Sequence, residues 1–408
     1  MFNSRISKIS RIIINRIVEG ILTLSGGVAS VVILLMVLFL FREGFGLFRS
    51  PSVDKGYSLC VRADNSVSSL STEQIKLIFD YEIVNWQEIG GANKEIIPFR
   101  FDEIFSLFSE EELGEDYCFL SDKLDEVIGN TPGIVAFLPD EYLPSDPSMV
   151  KTLKRESVRP FAFFGGREWM PTASPAPQLG VLPLILGTLW VSFFAILFAL
   201  PLGLGVAVYL SELAGKQTRK LLKPTIELLA GIPSVVYGFF CLVVLVPIIQ
   251  KSFDLPVGET GFSGSIVLAI MALPTIITVA EDAMRNTPRT MREASLALGA
   301  THWQTIYKVI IPYSASGISA AAMLGIGRAI GETMAVLMVT GNAAVIPHTL
   351  FEPIRTIPAT IAAELGEAPA GGTHYQALFM LGCVLFMITM LVSVASEWIS
   401  KRQVNGID

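Results

Sequence analysis

The chain has little of the chemistry from which most metal and catalytic sites are built. Its 408 residues contain only four cysteines and three histidines. The histidines, His302, His348 and His374, are far apart and are predicted on different sides of a membrane, which argues against a shared metal ion. The sequence also has no phosphate-binding loop of the Walker type and no paired nucleophile and base. We therefore expect no metal, no cofactor and no ATP hydrolysis by the chain itself.

The four cysteines form no metal-binding or redox motif. Cys241 and Cys383 fall in apolar segments, where cysteine usually serves as a small apolar residue. Cys60 and Cys118 fall in a region predicted to lie outside the cytoplasm, so a disulfide between them is chemically allowed. The sequence does not decide whether these two cysteines pair.

Charged residues are also scarce, and apolar residues take their place. Charged side chains make up 16% of the chain and the net charge is −7, which argues against a nucleic-acid partner. The apolar residues are gathered into runs near the roughly 20 residues that a spanning helix needs. In lipid every backbone amide must be satisfied internally, so we predict helices rather than strands. The six predicted spans cover residues 21–41, 181–210, 221–249, 264–280, 318–340 and 377–398.

The first apolar run is predicted to be a retained anchor. Basic residues precede it, as in a secretory signal, but the apolar stretch is too long. The residues that follow it, Arg42, Glu43 and Gly44, do not form a small-residue cleavage site. We therefore predict an all-α integral membrane protein with six transmembrane helices.

Lysine and arginine predict the orientation of the spans, because they mark the cytoplasmic side. They are concentrated at the N-terminus and at residues 216–220, 285–308 and 401–402. These segments share one side if the spans alternate, so both termini are predicted to be cytoplasmic. The predicted division is a cytoplasmic N-terminus and first helix at 1–42, an extracytoplasmic insert at 43–180, a five-helix core at 181–400 and a cytoplasmic tail at 401–408.

The insert, residues 43–180, is long enough to form a small domain with its own core. Residues 57–61 alternate like a strand, and Ser71 with Gln74 has the spacing of a capping box that opens a helix. Strand-like segments follow at 96–99, 133–137 and 158–164. This alternation predicts an α/β fold for the insert.

Two features of the predicted spans suit the passage of an anion. Arg328 and Glu332 are predicted one turn apart on one face of the fifth span. Ionised groups at that depth cost roughly 2.5–3.5 kcal/mol each, so they are usually paired and face a cavity. Arginine offers the planar set of donors that an oxyanion needs. The alternative is a structural ion pair that ties helices together.

The second feature is a predicted interruption of the third span at Gly231 and Pro233. Proline removes a helix hydrogen bond and glycine allows close approach. A helix restarted there presents free amides to an anion, with Ser234 and Tyr237 as additional donors. A kink that serves packing alone is an equal alternative.

A short polar-apolar segment lies between two of the spans, at residues 285–312. It contains Glu293 and Ala294, then Gly299, and it ends at Pro312 after an apolar pair. This pattern resembles the EAA loop of binding-protein-dependent ABC importer permeases. The resemblance implies a cytoplasmic helix that docks in a groove of an ATPase and transmits its motion to the spans.

Two longer motifs resemble phosphate-importer permeases of the PstC type. They are residues 327–335, Gly-Arg-Ala-Ile-Gly-Glu-Thr-Met-Ala, and residues 227–240, which contain Gly-Ile-Pro-Ser-Val-Val-Tyr-Gly. The resemblance implies import of inorganic phosphate across the cytoplasmic membrane of a prokaryote by alternating access. Its implied partners are a PstA-type permease, two PstB-type ATP-binding subunits and an extracytoplasmic phosphate-binding protein. The alternatives are another oxyanion, sulfate or molybdate, and a membrane scaffold that senses phosphate.

The insert itself resembles one lobe of a periplasmic phosphate-binding protein. The resemblance runs from the Ser71 segment through Trp86 to the Ile-Pro-Phe-Arg segment that ends at Arg100. In that family a hydroxyl-rich turn follows the arginine, but here Asp102 and Glu103 follow it and would repel phosphate. We interpret the insert as a degenerate lobe with a docking or structural role, the alternative being a true binding site.

Overall fold

The computed structural model describes residues 2–51, 56–114, 117–143, 149–154 and 156–404, and within these the side chains of Arg16 and of residues 18–398. The helices are α1 (Phe2–Gly46), α2 (Thr72–Phe79), α3 (Ile104–Leu107), α4 (Glu110–Leu113), α5 (Leu120–Asn130), α6 (Pro160–Gly165), α7 (Leu182–Val208), α8 (Lys216–Ala230), α9 (Ser234–Phe240), α10 (Val246–Ser252), α11 (Gly261–Arg285), α12 (Arg289–Ala297), α13 (His302–Thr305), α14 (Ile311–Tyr313), α15 (Ala315–Gly331), α16 (Met334–Val339), α17 (Ile357–Glu364) and α18 (Thr373–Val404). The strands are β1 (Tyr57–Arg62), β2 (Ile97–Arg100), β3 (Ile134–Pro139), β4 (Val150–Thr152), β5 (Trp169–Met170) and β6 (Gln178–Leu179).

Five helices in the described part of the chain are long and apolar enough to cross a membrane, and a bent pair supplies a sixth. The five cover Val18–Arg49, Leu182–Leu213, Ser234–Ser252, Gly261–Arg285 and Thr373–Trp398. The bent pair consists of His302–Tyr313 and Ala315–Gly331, which meet at 70°. The predicted all-α membrane architecture is confirmed, although two of the predicted spans follow a different course.

The predicted third span, residues 221–249, is wrong in its first half. Helix α8 ends at Ala230, and α9 starts at Ser234 after Gly231 and Pro233. Charged residues recur along α8 and none of its side chains is buried, so it is an amphipathic helix of its own. The predicted interruption at Gly231 and Pro233 is confirmed, and the span begins after it.

The predicted fifth span, residues 318–340, is also interrupted. Helix α15 ends at Gly331, and Glu332 has extended backbone angles, φ −70° and ψ 132°. Helix α16 then runs over six residues from Met334. We call Glu332 and Thr333 the break. Arg328 and Glu332 therefore do not share one face of a continuous helix, and that prediction is wrong.

Helix α11 is the centre of the bundle. Of its most apolar window, 61% is buried, whereas none of the corresponding window of α1 is. Helices α7 and α15 both pack against it at glycines: a Cβ on Gly203 or Gly325 would lie 2.7 Å or 2.8 Å from the Ile276 side chain. Small residues let the three backbones approach closely, as is usual between membrane helices.

Residues 57–154 of the insert form a lobe with a four-stranded sheet in the order β2-β3-β1-β4. Strand β1 is antiparallel to β3 and β4, and β2 is parallel to β3. One core lies between the sheet and α2 with Trp86, and another lies against α5. The α/β prediction is confirmed, as is the capping box of Ser71 and Gln74. The predicted strand at 158–164 is wrong, because Pro160 opens helix α6 there.

The two ends of the lobe lie side by side where it joins the bundle. Pro51 pairs with Ser157 in an isolated antiparallel bridge. The Val158 N–H donates to the Ser50 carbonyl at 3.2 Å, and the Ser50 hydroxyl bonds the Gln376 side chain of α18. These contacts fix the base of the lobe on the bundle.

Candidate functional site

Arg328 lies in the last turn of α15, three residues before the helix ends. Its Nη1 donates to the hydroxyl of Thr275, on α11, at 3.3 Å. In the part of the chain that the structure describes, no carboxylate lies within ion-pair distance of its guanidinium, whereas Arg219, Arg292 and Arg355 all have one. Arg328 is therefore a half-buried cation with most of its hydrogen-bonding capacity unused.

Glu332 lies at the break and closes the start of α16 instead of pairing with Arg328. Its Oε1 accepts from the Ala335 backbone N–H at 3.5 Å. A carboxylate is favourable at a helix N-terminus because the free amides there carry partial positive charge. The interruption of the helix thus separates the two charges that the sequence places one turn apart.

Tyr237 spans the interruption that precedes α9. Its side chain is buried, and its hydroxyl donates to the Leu229 carbonyl at 2.8 Å. That carbonyl belongs to the last turn of α8, where the helix itself offers no partner. Tyr237 therefore joins α8 to α9, and Ser234, half-buried, is the first residue of α9.

The elements that carry these four residues meet around the break. Helix α9 packs against α16 so closely that a Cβ on Gly238 would lie 2.9 Å from the Ala335 Cα. Helix α15 packs against α11, which brings Arg328 to Thr275. Sequence reasoning missed Thr275, because a single threonine inside an apolar run carries no recognisable signal.

The segment 285–312, which we call the coupling segment, lies at the opposite end of the bundle from the insert. Helix α12 carries Glu293 and Ala294 and buries no side chain. Gly299 turns the chain with φ +84°, and Leu298 beside it is 89% exposed. Pro312 lies in α14, one residue before the helix ends at Tyr313, so it precedes the 70° bend rather than ending the segment. The four predicted residues thus lie on an exposed surface that includes apolar side chains.

Arg292 connects α12 to the ends of two spans. Its Nη1 pairs with Glu212, just after α7, at 2.9 Å, and its Nη2 donates to the Met284 carbonyl in the last turn of α11 at 2.9 Å. The Glu212 side chain is only 4% exposed. This contact was not predicted, because Arg292 and Glu212 are far apart in the sequence.

Three helical segments of the lobe begin with a capping box, whose side chains accept from the free backbone amides there. Ser71 with Gln74, Asn85 with Glu88 and Ser109 with Glu112 each close their own amides. Arg100 is exposed and lies over the Phe79 ring at 5.6 Å, and Asp102 and Glu103 follow it. Cys60 and Cys118 are both free thiols, and burial raises the pKa of Cys60 to about 11. The interpretation of the insert as a degenerate lobe stays a prediction.

Residues 199–405, a range that begins within α7, match the family model of the binding-protein-dependent transport system inner membrane component. This chain belongs to that family. It is therefore an ABC importer permease subunit, a multi-pass component of an inner membrane transporter. The matched residues do not include the insert.

Curated relatives of the chain are permeases as well. The probable ABC transporter permease protein YqgH of Bacillus subtilis (strain 168) is 41% identical over 246 residues, which are 60% of this chain and 79% of the relative. The phosphate transport system permease protein PstC of Pasteurella multocida (strain Pm70) is 38% identical over 261 residues, 59% of this chain and 80% of the relative. Among solved structures, the MetNI methionine ABC transporter in an inward facing conformation has 20% identity and a TM-score of 0.43, covering 55% of this chain and 95% of its own.

Proposed function

We propose that this chain forms part of a route for inorganic phosphate through the cytoplasmic membrane, driven by ATP that separate subunits hydrolyse. The names of its PstC relatives support phosphate as the substrate. The partners in this proposal are a PstA-type permease, two PstB-type ATP-binding subunits and an extracytoplasmic phosphate-binding protein. The insert then lies outside the cytoplasm, and both termini lie inside.

The unpaired guanidinium of Arg328 is the observation that carries the proposal. A cation inside an apolar bundle is costly and is normally offset by a carboxylate. Here its described partner is the neutral hydroxyl of Thr275. A phosphate that reaches the break supplies the missing negative charge, and its oxygens match the guanidinium donors two at a time.

Glu332 and the residues of α9 complete the proposed site. The carboxylate of Glu332 repels a second negative charge nearby, so it favours an anion that binds on the Arg328 side of the break. Ser234 and Tyr237 border the same region. Tyr237 already donates its hydroxyl proton to Leu229, so in this proposal it holds the interruption open, and Ser234 is the donor for the anion.

The coupling segment is the proposed contact with the ATP-binding subunits. Glu293, Ala294 and Gly299 lie on its exposed surface, and Pro312 lies at the bend that leads into α15. Movement of this segment reaches Arg328 through a single helix, because α15 begins two residues after Tyr313. Closure of the ATPases then changes which side of the membrane has access to the break.

The proposal is tested by uptake of radiolabelled phosphate into proteoliposomes that contain the complete transporter. We expect Arg328→Gln to lower uptake about 100-fold, because it removes a charge that pairs with the anion. Arg328→Lys keeps the charge without the bidentate geometry, so its uptake should fall between that of the wild type and that of Arg328→Gln. The matched control is Arg159→Gln, an exposed arginine of the insert.

Competition decides between phosphate and the other oxyanions. Unlabelled phosphate and arsenate should compete with the label, and sulfate and molybdate should not. Competition by sulfate at the same concentration as phosphate would contradict the substrate assignment. Normal uptake in Arg328→Gln would remove Arg328 from the route.

A further inference from the structure

The insert and the bundle share a half-buried polar junction centred on Glu364, the last residue of α17. Its Oε1 pairs with Arg355 at 2.9 Å, and its Oε2 contacts His374, at the start of α18, at 2.9 Å. The indole N–H of Trp169, in strand β5 of the insert, donates to both oxygens at 3.1 Å and 3.3 Å. Three separate parts of the chain thus meet on one carboxylate whose side chain is 14% exposed.

The helix that ends at this junction lies against the break. A groove there has Gly331 and Thr333 on one wall, and Ile361 and Leu365 on or just after α17 on the other. The first turn of α17 is anchored independently, because the Ile357 N–H donates to the buried Thr188 hydroxyl of α7 at 2.9 Å. The junction fixes the opposite end of α17, which makes Glu364 and Trp169 determinants of how α17 lies on the break.

We infer that Glu364 is a positioning residue through which the insert, by way of Trp169, holds α17 against the break. Trp169 is 3% exposed and lies in one apolar cluster with Phe163 and Leu179 of the insert, and the same cluster contains Ile357 of α17. Glu168, the residue before Trp169, pairs with Lys76 of the lobe at 2.6 Å. A shift of the lobe is thereby passed to α17 and to the groove wall. For transport this rests on the proposed route at the break, whereas the mechanical connection does not.

The chemistry of the junction explains why it is sensitive to single groups. A half-buried carboxylate with three partners is strongly satisfied, and removal of a hydrogen bond to a charged acceptor costs more than removal of a neutral one. Arg355 Nε is already without a partner in the described chain. Loss of the indole donor therefore leaves Glu364 held by Arg355 and His374 alone and removes the polar contact between the insert and the end of α17.

Hydrogen exchange on the complete transporter in lipid nanodiscs tests the inference, with Trp169→Phe as the variant. Phenylalanine keeps a buried ring and removes only the N–H donor. The matched control is Trp86→Phe, because Trp86 is 1% exposed and donates its indole N–H to the Gly133 carbonyl at 2.8 Å inside the lobe. We expect exchange of the amides at 361–365 to become about tenfold faster in Trp169→Phe, the fold-change of one such hydrogen bond. Trp86→Phe should change exchange only within the lobe.

Transport is measured on the same preparations. We expect Trp169→Phe to lower the maximal uptake rate several-fold at an unchanged half-saturating concentration of the binding protein, and Trp86→Phe to match the wild type. Equal exchange of residues 361–365 in the two variants would overturn the inference. If Trp169→Phe does not assemble, Glu364→Gln tests the positioning role of Glu364 from the bundle side, since it keeps an acceptor for the indole and removes the charge that faces Arg355 and His374. Unchanged α17 exchange in that variant would also overturn it.

The exchange result is independent of the transported solute. If phosphate proves to be the wrong substrate, the tenfold acceleration at α17 is still expected. If phosphate is carried and α17 exchange does not respond, the proposed function stands and the junction is only a structural contact.

Discussion

Two charged side chains inside the bundle have opposite surroundings. Glu281 of α11 is 1% exposed and faces three cations: Lys223 at 2.7 Å, Arg285 at 3.8 Å and Arg219. Arg328 of the neighbouring α15 faces a threonine hydroxyl. A buried charge that serves stability is satisfied within its own chain, as Glu281 is. A cation without a counter-ion at a helix break is available to an anion from outside the chain.

Removal of Glu281 is expected to have the largest effect on folding. Glu281→Gln leaves the half-buried Arg219 without its counter-charge and leaves Lys223 with only the exposed Asp282, which costs about 3 kcal/mol. The measurement is chemical unfolding of the purified protein in detergent. Asp282→Asn is the control, because Asp282 pairs with the same Lys223 but is 56% exposed, and it should change the free energy of unfolding by less than about 1 kcal/mol. Equal losses of unfolding free energy in Glu281→Gln and Asp282→Asn would contradict the stabilising role of the buried carboxylate.

Exchanging the charges of Arg328 and Glu332 tests whether Arg328 serves stability, as Glu281 does, or serves an anion. An ion pair tolerates reversal, so Arg328→Glu combined with Glu332→Arg would restore uptake if the pair were structural. The structure separates the two side chains, so we expect normal assembly in the double variant and uptake still lowered about 100-fold. The check is radiolabelled uptake beside size-exclusion chromatography of the complex. Recovered uptake would defeat the anion role of Arg328.

Arg292 gives an intermediate case, since it has a carboxylate and also closes a helix end. Arg292→Lys keeps the charge, but an ammonium does not present the fork that reaches both Glu212 and the Met284 carbonyl. We expect uptake per ATP hydrolysed to fall several-fold, with the folded protein weakened by about 1–2 kcal/mol. Glu212→Gln should behave in the same way. A normal ratio in both variants would show that this contact does not transmit motion.

Gly299 tests the coupling segment without any change of charge. Its φ of +84° is strained for a branched side chain, although, among the described residues beyond its chain neighbours, no atom would lie within 4 Å of an added Cβ. Gly299→Asn should be close to the wild type, because asparagine tolerates this conformation. Gly299→Leu should cost about 1–2 kcal/mol locally and lower uptake relative to ATP hydrolysis. Normal stimulated uptake in Gly299→Leu would remove Gly299 from the coupling account.

The pH dependence of Glu364 should be the smallest effect. Burial acts to raise the pKa of its carboxyl, but hydrogen bonds from His374 and Trp169 and the charge of Arg355 outweigh burial, so the pKa is lowered from 4.5. A lowered carboxyl pKa stabilises the folded state above the unfolded value, and the contribution is lost as pH falls through the folded value. The difference in thermal midpoint between wild type and Glu364→Gln should therefore shrink as the pH falls below about 4.5. A difference that grows on acidification would contradict this sign.

Much of the fold follows from the sequence, because apolar length and period reflect local physics. Four of the six predicted spans and the alternating strands of the lobe appear where the residues place them. The two errors among the spans share one cause. Residues 221–230, despite Lys223 and Glu227, and residues 332–340 carry enough apolar side chains to extend a predicted span, but Pro233 and the Gly331–Glu332 pair interrupt the helix, and hydropathy does not register an interruption.

The sequence indicates the polar residues of the candidate site but not the contacts that they make. Arg328, Glu332, Ser234 and Tyr237 were evident as polar groups in apolar surroundings. Their partners were not: Thr275, Leu229 and Ala335 are ordinary residues that become partners through helix packing. The Arg292 contact with Glu212 and the Trp169 contact with Glu364 join residues 80 and 195 positions apart, and no local pattern indicates such pairs.

The paired ends of the lobe make it a self-contained insertion between two spans. Because Ser50 and Pro51 lie beside Val158 and Ser157, the residues between them form a loop that a short turn could replace without moving either neighbouring span. The free energy of closing a loop depends only weakly on its length. A module can therefore enter or leave at this position in one genetic event. The family match covers residues 199–405 and does not include the lobe.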